Sequence, residues 1–150
     1  MVRHNKNYYD TERSQEFLKQ KCLLVADHME NKLGIDIVLL TIYQPVEGRE
    51  AMEQYNLRSE DWEQNMQDIA DDFWDNNRFG YNKGIEGDGI LLLHNWYPNQ
   101  QGEYISTSGK VMRALSSYDL DTLLEIADNC FIDAYGAYKA YIDEIGYLLD

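Results

Sequence analysis

Acidic side chains beside a glycine-rich segment are the residues best suited to chemistry in this sequence. Asp71, Asp72 and Asp75 lie near the end of a predicted helix, and Asp88 stands between two glycines directly before a predicted strand. Carboxylate oxygens suit a hard cation such as Ca²⁺, which takes about six to eight oxygen ligands. The sequence therefore offers ligands for a divalent cation. The alternative is a solvated acidic helix face beside a loop, the usual meaning of a run of charge.

A short hydroxyl-rich turn supplies further polar groups. Ser106, Thr107 and Ser108 precede Gly109, and Lys110 follows it. Their oxygens would add cation ligands, whereas Lys110 would oppose a cation or pair with an anion. Motifs for a nucleophilic serine or for nucleotide phosphates are absent from the sequence. No catalytic residue is therefore assigned.

The spacing of apolar residues predicts the helices and strands that carry these polar groups. Apolar residues three and four apart predict a helix over residues 11–33 and further helices after Ser59, Asp119 and Gly136. Continuous apolar runs predict strands over 35–43 and 90–96, a polar connection lies at 47–61, and a shorter strand follows at 102–109. The order is α-β-α-β-β-α-α, with a parallel pair joined by a right-handed crossover and then a hairpin. The predicted fold class is α/β with a mixed central sheet.

This topology brings the polar groups to one edge of the sheet. The second helix runs antiparallel to the strands and so ends where the strand at 90–96 begins, and the hairpin returns to the same edge. We therefore expect the predicted ligands and their neighbours to converge there: Asp71, Asp72, Asp75, Asp88, Ser106, Thr107, Ser108 and Lys110.

Composition excludes several classes of protein. The chain has 150 residues with 13 basic and 27 acidic side chains, a net charge of −14, so a polyphosphate backbone would be repelled and nucleic acid is not an expected partner. No stretch approaches the roughly 20 apolar residues of a membrane span. Residues 1–10 lack the apolar centre of a signal peptide and are predicted to be flexible, followed by a single domain over 11–150. The sequence leaves open whether a leader or an anchor was removed.

The two cysteines and the histidines have simple interpretations. Cys22 and Cys130 lie among apolar residues of predicted helices, so buried free thiols are expected, with a single disulfide as the alternative. His94 is expected at a strand end without a chemical role.

Three segments carry a resemblance to a known family. They are IADDFWDNN, GDGILLL and YISTSGKV, in that order and around a strand-helix-strand frame. The chain resembles the TPM domain, a module shared by thylakoid acid phosphatase, photosystem repair proteins, a nematode receptor modulator and many bacterial envelope proteins. The likeness runs from about Thr11 to Leu149.

This resemblance implies a three-layer α/β/α sandwich with a Rossmann-like core, associated with a membrane and outside the cytoplasm. Some family members bind calcium and some are described as acid phosphatases, so the family role falls on Asp88, with Asp71, Asp72 and Asp75 at the matching helix end. Lys110 and Val111 depart from the family pattern, which has an aromatic residue and a glycine there.

The function favoured by these observations is a calcium-binding interaction or scaffold module of the cell envelope, with a protein partner. One alternative is a metal-assisted acid phosphatase acting on phosphomonoesters. The other is a structural domain whose acidic edge binds nothing.

Overall fold

A single mixed sheet forms the centre of the molecule. The computed structural model describes residues 8–10, 16–80 and 87–150. The strands β1 (Tyr8–Asp10), β2 (Asp36–Ile42), β3 (Gly89–Asn95) and β4 (Gly102–Ser108) lie side by side in chain order. The first three are parallel, and β4 returns antiparallel to β3. The predicted parallel pair and the hairpin are both confirmed.

Helices cover both faces of this sheet. They are α1 (Glu16–Leu33), α2 (Arg49–Gln54), α3 (Trp62–Asn76), α4 (Lys110–Ala114), α5 (Ser117–Asp128) and α6 (Ala134–Leu149), with a 3₁₀ turn at Asn129–Phe131. One buried cluster joins the sheet to α1, α4, α5 and α6, and a second joins it to α3. The predicted α/β sandwich with a mixed sheet is confirmed.

Local sequence signals set the helix ends. Gly34, with a φ of +69°, ends α1 in the left-handed conformation that glycine tolerates best. Asp61 begins α3, because its carboxylate accepts the N–H of Gln64 at 2.9 Å. Ser59, after which the sequence predicts this helix, accepts the N–H of Asp61 at 2.9 Å, so it supports the cap from outside the helix.

Three elements lie where the sequence indicated irregular chain. Tyr8–Asp10, in the segment predicted to be flexible, pair with Leu39–Thr41 and cover an edge of β2 that would otherwise be open. Helix α2 lies within the polar connection, and α4 follows the hydroxyl-rich turn. Each of these helices is too short to show an apolar period, although each buries one residue, Ala51 and Val111. Residues 1–7 and 11–15 lie outside the described residues.

The cysteines agree with the sequence interpretation. Cys22 and Cys130 are both buried and both free. Burial raises the pKa of each thiol to about 12. Among the described helices, none has the length and apolar character that a bilayer crossing requires.

Candidate functional site

The predicted site lies at the sheet edge where β2 and β3 begin and β4 ends, here called the rim. Asp36, Gly89 and Ser108 are register partners across these three strands. The end of α3 reaches the same place, because the ring of Trp74 lies against Gly89: a Cβ added there would be 2.3 Å from Trp74 Cη2. The rim therefore joins the elements that the topology was expected to bring together.

Asp88 is the most enclosed of the four predicted acids. It is 6% exposed, and its Oδ1 accepts the backbone N–H of Lys110 at 2.7 Å. Its backbone carbonyl accepts the N–H of Asp36 at 3.1 Å, which fixes the start of β3 beside the start of β2. Asp88 thus connects the beginning of α4 to the beginning of two strands, through its carboxylate on α4 and through its backbone carbonyl on β2.

Lys110 does not direct its charge at Asp88. Its Nζ donates to the carbonyl of Leu33 at 3.0 Å. This carbonyl belongs to the last residue of α1, where the helix dipole favours a positive charge. The side chain therefore extends to a neighbouring helix end, and only its backbone amide contacts Asp88.

The acids of α3 have other partners. Asp71 accepts a hydrogen bond from Ser106 Oγ at 2.8 Å, which joins α3 to β4. Asp72 is exposed and pairs with Arg58 at 2.9 Å. Asp75 is also exposed, at the last turn of the helix.

The pleat of the sheet separates these groups. Alternate residues of a strand point to opposite faces, and Ile90 belongs to the cluster on the α1 face whereas Leu91 belongs to the cluster on the α3 face. Asp88 shares the face of Ile90, as its bond to the start of α4 shows, while Ser106 lies opposite Leu91 and therefore on the α3 face.

The predicted ligands consequently form two groups. Thr107, opposite Ile90, shares the face of Asp88, and Ser108, opposite Gly89, shares the face of Asp71. No three of the acids Asp71, Asp72, Asp75 and Asp88, all within the described residues, hold their carboxylate oxygens within 4.8 Å of one another. A calcium role for them stays a prediction.

A second group of side chains that could bind a ligand lies at the other end of the strands, where β3 ends and β4 begins. His94 near the end of β3, Glu103 near the start of β4 and Cys130 in the 3₁₀ turn bring one nitrogen, one carboxylate oxygen and one sulfur within 4.8 Å of one another. We call these three residues the His94 cluster. Cys130 Sγ lies 3.0 Å from His94 Nδ1, and the hydroxyl of Tyr138 lies 3.2 Å from the same nitrogen.

Aromatic rings enclose the imidazole. Trp96 stacks on His94 with ring centres 4.7 Å apart, and Phe131 meets the imidazole edge-on at 4.8 Å. His94 is fully buried and Cys130 is 2% exposed, whereas Phe131 is 39% exposed and forms the outer wall.

The enclosed environment alters the ionisation of the cluster. Burial lowers the pKa of His94 to about 4, against the opposing charge of Asp128, so the imidazole is neutral at pH 7. Burial is the main reason that the pKa of Glu103 rises to about 8. A hydrogen bond with Asp128 and the negative charge of Asp128 act in the same direction. Glu103 Oε1 is buried and has no hydrogen-bond partner in the part of the chain that the structure describes.

Glu103 also lines a cleft that reaches the surface. The cleft has a volume of about 330 Å³ and runs beside β4, an edge strand, between α3 and α5. Trp62 lines one wall, and Leu120 and Leu124 line the other. The His94 cluster therefore has an approach from solvent on the Glu103 side.

Comparison with known proteins identifies relatives by fold alone. No protein-family model and no curated protein matches the chain. Among solved structures, the N-terminal domain of the cg2496 protein from Corynebacterium glutamicum is similar, with a TM-score of 0.54 and 12% identity over 98% of this chain and 82% of that one. The N-terminal domain of a protein from P. gingivalis has a TM-score of 0.54 and 11% identity over 97% of this chain and 83% of that one. At these identities the likeness extends to the fold only.

The His94 cluster was not predicted, although the sequence contains one indication of it. The predicted hairpin has a short turn, and its pairing sets His94 directly opposite Glu103. The contribution of Cys130 has no such signal, because it lies 36 residues further along the chain from His94 and arrives through the packing of α5.

Proposed function

We propose that this chain is a TPM-like interaction module of the cell envelope, in which Ca²⁺ binds at the Asp88 side of the rim and stabilises a surface for a protein partner. The observation that carries the proposal is Asp88, an acid that is 6% exposed and bonded to the backbone of Lys110. A cation bound there would act on β2, β3 and α4 together, because Asp88 joins all three.

Charge and neighbouring oxygens support this choice of ligand. The chain carries a net charge of −14, which raises the local concentration of cations around it. Thr107 offers a hydroxyl on the same face as Asp88. The amine of Lys110, which would oppose a cation, is engaged by Leu33. Asp71, Asp72 and Asp75 contribute to the field from the other face and are not proposed as direct ligands of the same ion.

The acid phosphatase alternative has less support. It needs an activated nucleophile or a metal-bound water beside the substrate. The hydroxyl of Ser106 donates to Asp71, and the amine of Lys110 is held at the end of α1, so neither group is directed toward a phosphoryl oxygen beside Asp88. The binding module is therefore the preferred function, and its location in the envelope follows from the family resemblance.

A calorimetric titration of the chelator-stripped chain with Ca²⁺ tests the proposal. Extracellular calcium modules have a Kd of about 0.1 to 1 mM. A hundredfold excess over Kd stabilises the native state by about 2.7 kcal/mol, which raises Tm by about 5 to 10 °C in a chain of this size. Asp88→Asn, which keeps the size of the side chain, should abolish both signals.

Two further variants decide the position of the site. Glu53→Gln removes an exposed acid that pairs with Arg49, and it should leave calcium binding unchanged. Asp71→Asn should reduce affinity only slightly, because Asp71 lies on the other face of the sheet. Loss of binding in Asp71→Asn with retention in Asp88→Asn would contradict the proposed position, and absence of saturable heat in the unmodified chain would contradict calcium binding.

A further inference from the structure

We propose that His94, Glu103 and Cys130 form a binding site for a transition-metal ion of the zinc type. The site lies at the other end of the strands from Asp88, and this proposal does not depend on the function proposed for the rim. Its three ligands come from β3, β4 and the 3₁₀ turn after α5.

The set of donor atoms favours Zn²⁺ over Ca²⁺. Zinc is bound in proteins by histidine nitrogen, cysteine sulfur and carboxylate oxygen, whereas Ca²⁺ takes oxygen ligands almost exclusively. The His94 cluster presents one of each zinc ligand, and their donor atoms all lie within 4.8 Å of one another. Neighbouring ligands of a tetrahedral zinc ion are about 3 to 4 Å apart. Cys130 Sγ lies 3.0 Å from His94 Nδ1 and 3.2 Å from Nε2, so the imidazole must rotate for one nitrogen to point at an ion shared with the sulfur.

The geometry also leaves a coordination position open. Three protein ligands and one water are the arrangement of zinc sites that remain accessible to other molecules. Glu103 lines the cleft beside β4, so the fourth position would face that cleft. The aromatic walls formed by Trp96 and Phe131 enclose the other side and exclude water from the imidazole.

The polar atoms of the His94 cluster are poorly satisfied by the protein alone. Glu103 Oε1 is buried without a hydrogen-bond partner among the described residues, and the side chain of Glu103 shares a hydrogen bond with a second acid, Asp128. A buried carboxyl oxygen without a hydrogen-bond partner is unfavourable, even on a side chain that is itself only partly buried. A cation between Glu103 and Cys130 would pair the free oxygen and remove this penalty.

A nucleophilic Cys130 activated by His94 is the competing interpretation. Reactive thiols lie in electropositive, partly exposed places. Cys130 is 2% exposed and has Glu103 and Asp128 as its charged neighbours, which disfavour the thiolate. Metal binding has the opposite requirement, because the cation itself stabilises the thiolate as the thiol proton passes to solvent.

Titration of the reduced, chelator-stripped chain with Co²⁺, followed by displacement with Zn²⁺, tests this proposal. Binding should reach one equivalent and produce a thiolate-to-cobalt absorption band, which calcium at the rim cannot give. Cys130→Ser should abolish the band, and Cys22→Ser, which changes the other buried thiol, should retain it. Glu103→Gln keeps the shape of the side chain and should weaken Co²⁺ affinity by about 10-fold or more.

The same titration distinguishes the two proposals. Asp88→Asn should lose calcium binding and keep the cobalt band. Absence of a thiolate band in the unmodified chain would overturn the metal site, as would a band that persists in Cys130→Ser. If Cys130→Ser fails to fold, an unchanged affinity in Glu103→Gln would overturn the site by itself. Rapid alkylation of Cys130 in the folded, metal-free chain would favour the nucleophile instead.

Discussion

Replacement of Gly89 by alanine should destabilise the protein through a clash at the rim. Gly89 begins β3, and a Cβ at this position would lie 2.3 Å from Trp74 Cη2 and 2.6 Å from the backbone oxygen of Asp36. Trp74 is 7% exposed, so its ring has little room to move. The Asp36 oxygen belongs to the register partner of Gly89, and shifting it would disturb the parallel pairing of β2 with β3.

The magnitude follows from these two contacts. Added methyl groups in packed interiors cost about 1 to 3 kcal/mol. Gly89→Ala should lie in the upper part of this range, at about 2 to 3 kcal/mol, because one contact is with backbone. For a chain of this size, that loss lowers Tm by about 4 to 12 °C.

Gly102→Ala provides a matched control at the other end of the hairpin. A Cβ there would lie 2.5 Å from Trp62 Cζ2, and its close contacts are all with the Trp62 side chain. Trp62 is only partly buried and can move outward, so the loss should be about 1 kcal/mol, the lower end of the same range. Urea and thermal unfolding measure both variants. Equal losses, or a Gly89→Ala protein as stable as the unmodified chain, would refute the position of Trp74 over the rim.

Two further predictions concern stability. Ser116→Ala removes one half of the capping box that Ser116 forms with Asp119 at the start of α5. Urea denaturation should show a loss of about 1 kcal/mol in the free energy of unfolding. An unchanged urea midpoint would contradict a stabilising role for this cap. Burial raises the pKa of Cys22 in the folded state to about 12, above its ordinary value of 9.0. Above about pH 9 the folded state therefore retains a proton that the unfolded state loses, so the free energy of unfolding should fall as pH rises from about 9 toward 12. Cys22→Ala should reduce the slope of unfolding free energy against pH between about pH 8 and about pH 10.5, a range that includes the ordinary pKa of a thiol. An unchanged slope would argue that Cys22 is accessible to water.

The fold could be predicted because its central elements have long, uniform apolar patterns. Strand β3 is buried at every position, and its residues 90–93, ILLL, show this directly as a continuous apolar run. Helix α3 buries Met66 and Ala70, which are four residues apart and therefore lie on one face. The elements that were missed, β1, α2 and α4, have three to six residues and therefore no usable period.

Buried polar residues were harder to predict than the core. Glu30 is a charged residue of α1, yet it is 3% exposed because its carboxylate accepts the N–H of Ile37 at 2.7 Å. Helical spacing carries no information about a strand end that lies beside the helix. The same limit applies to Cys130, whose contact with His94 depends on how α5 packs on the sheet.

The sequence was sufficient to predict which chain segments meet at the rim, but the predicted ligands were not assigned to the two faces of the sheet. Topology alone brings the end of α3 to the starts of β2 and β3. The alternation of side chains along β3 was available from the sequence, and it assigns Asp88 to the face of Ile90 and away from Asp71. Convergence of chain segments at one edge therefore does not imply convergence of their side chains.

The most direct test of calcium binding at Asp88 is the backbone amide signal of Lys110 during a Ca²⁺ titration followed by two-dimensional NMR. This amide donates to Asp88 Oδ1 at 2.7 Å, so it reports on the carboxylate itself. Calcium binding at Asp88 predicts a saturable shift of the Lys110 amide together with those of Gly87 and Gly89, and loss of these shifts in Asp88→Asn. Saturable shifts confined to exposed acids such as Asp72, with Lys110 unmoved, would contradict it.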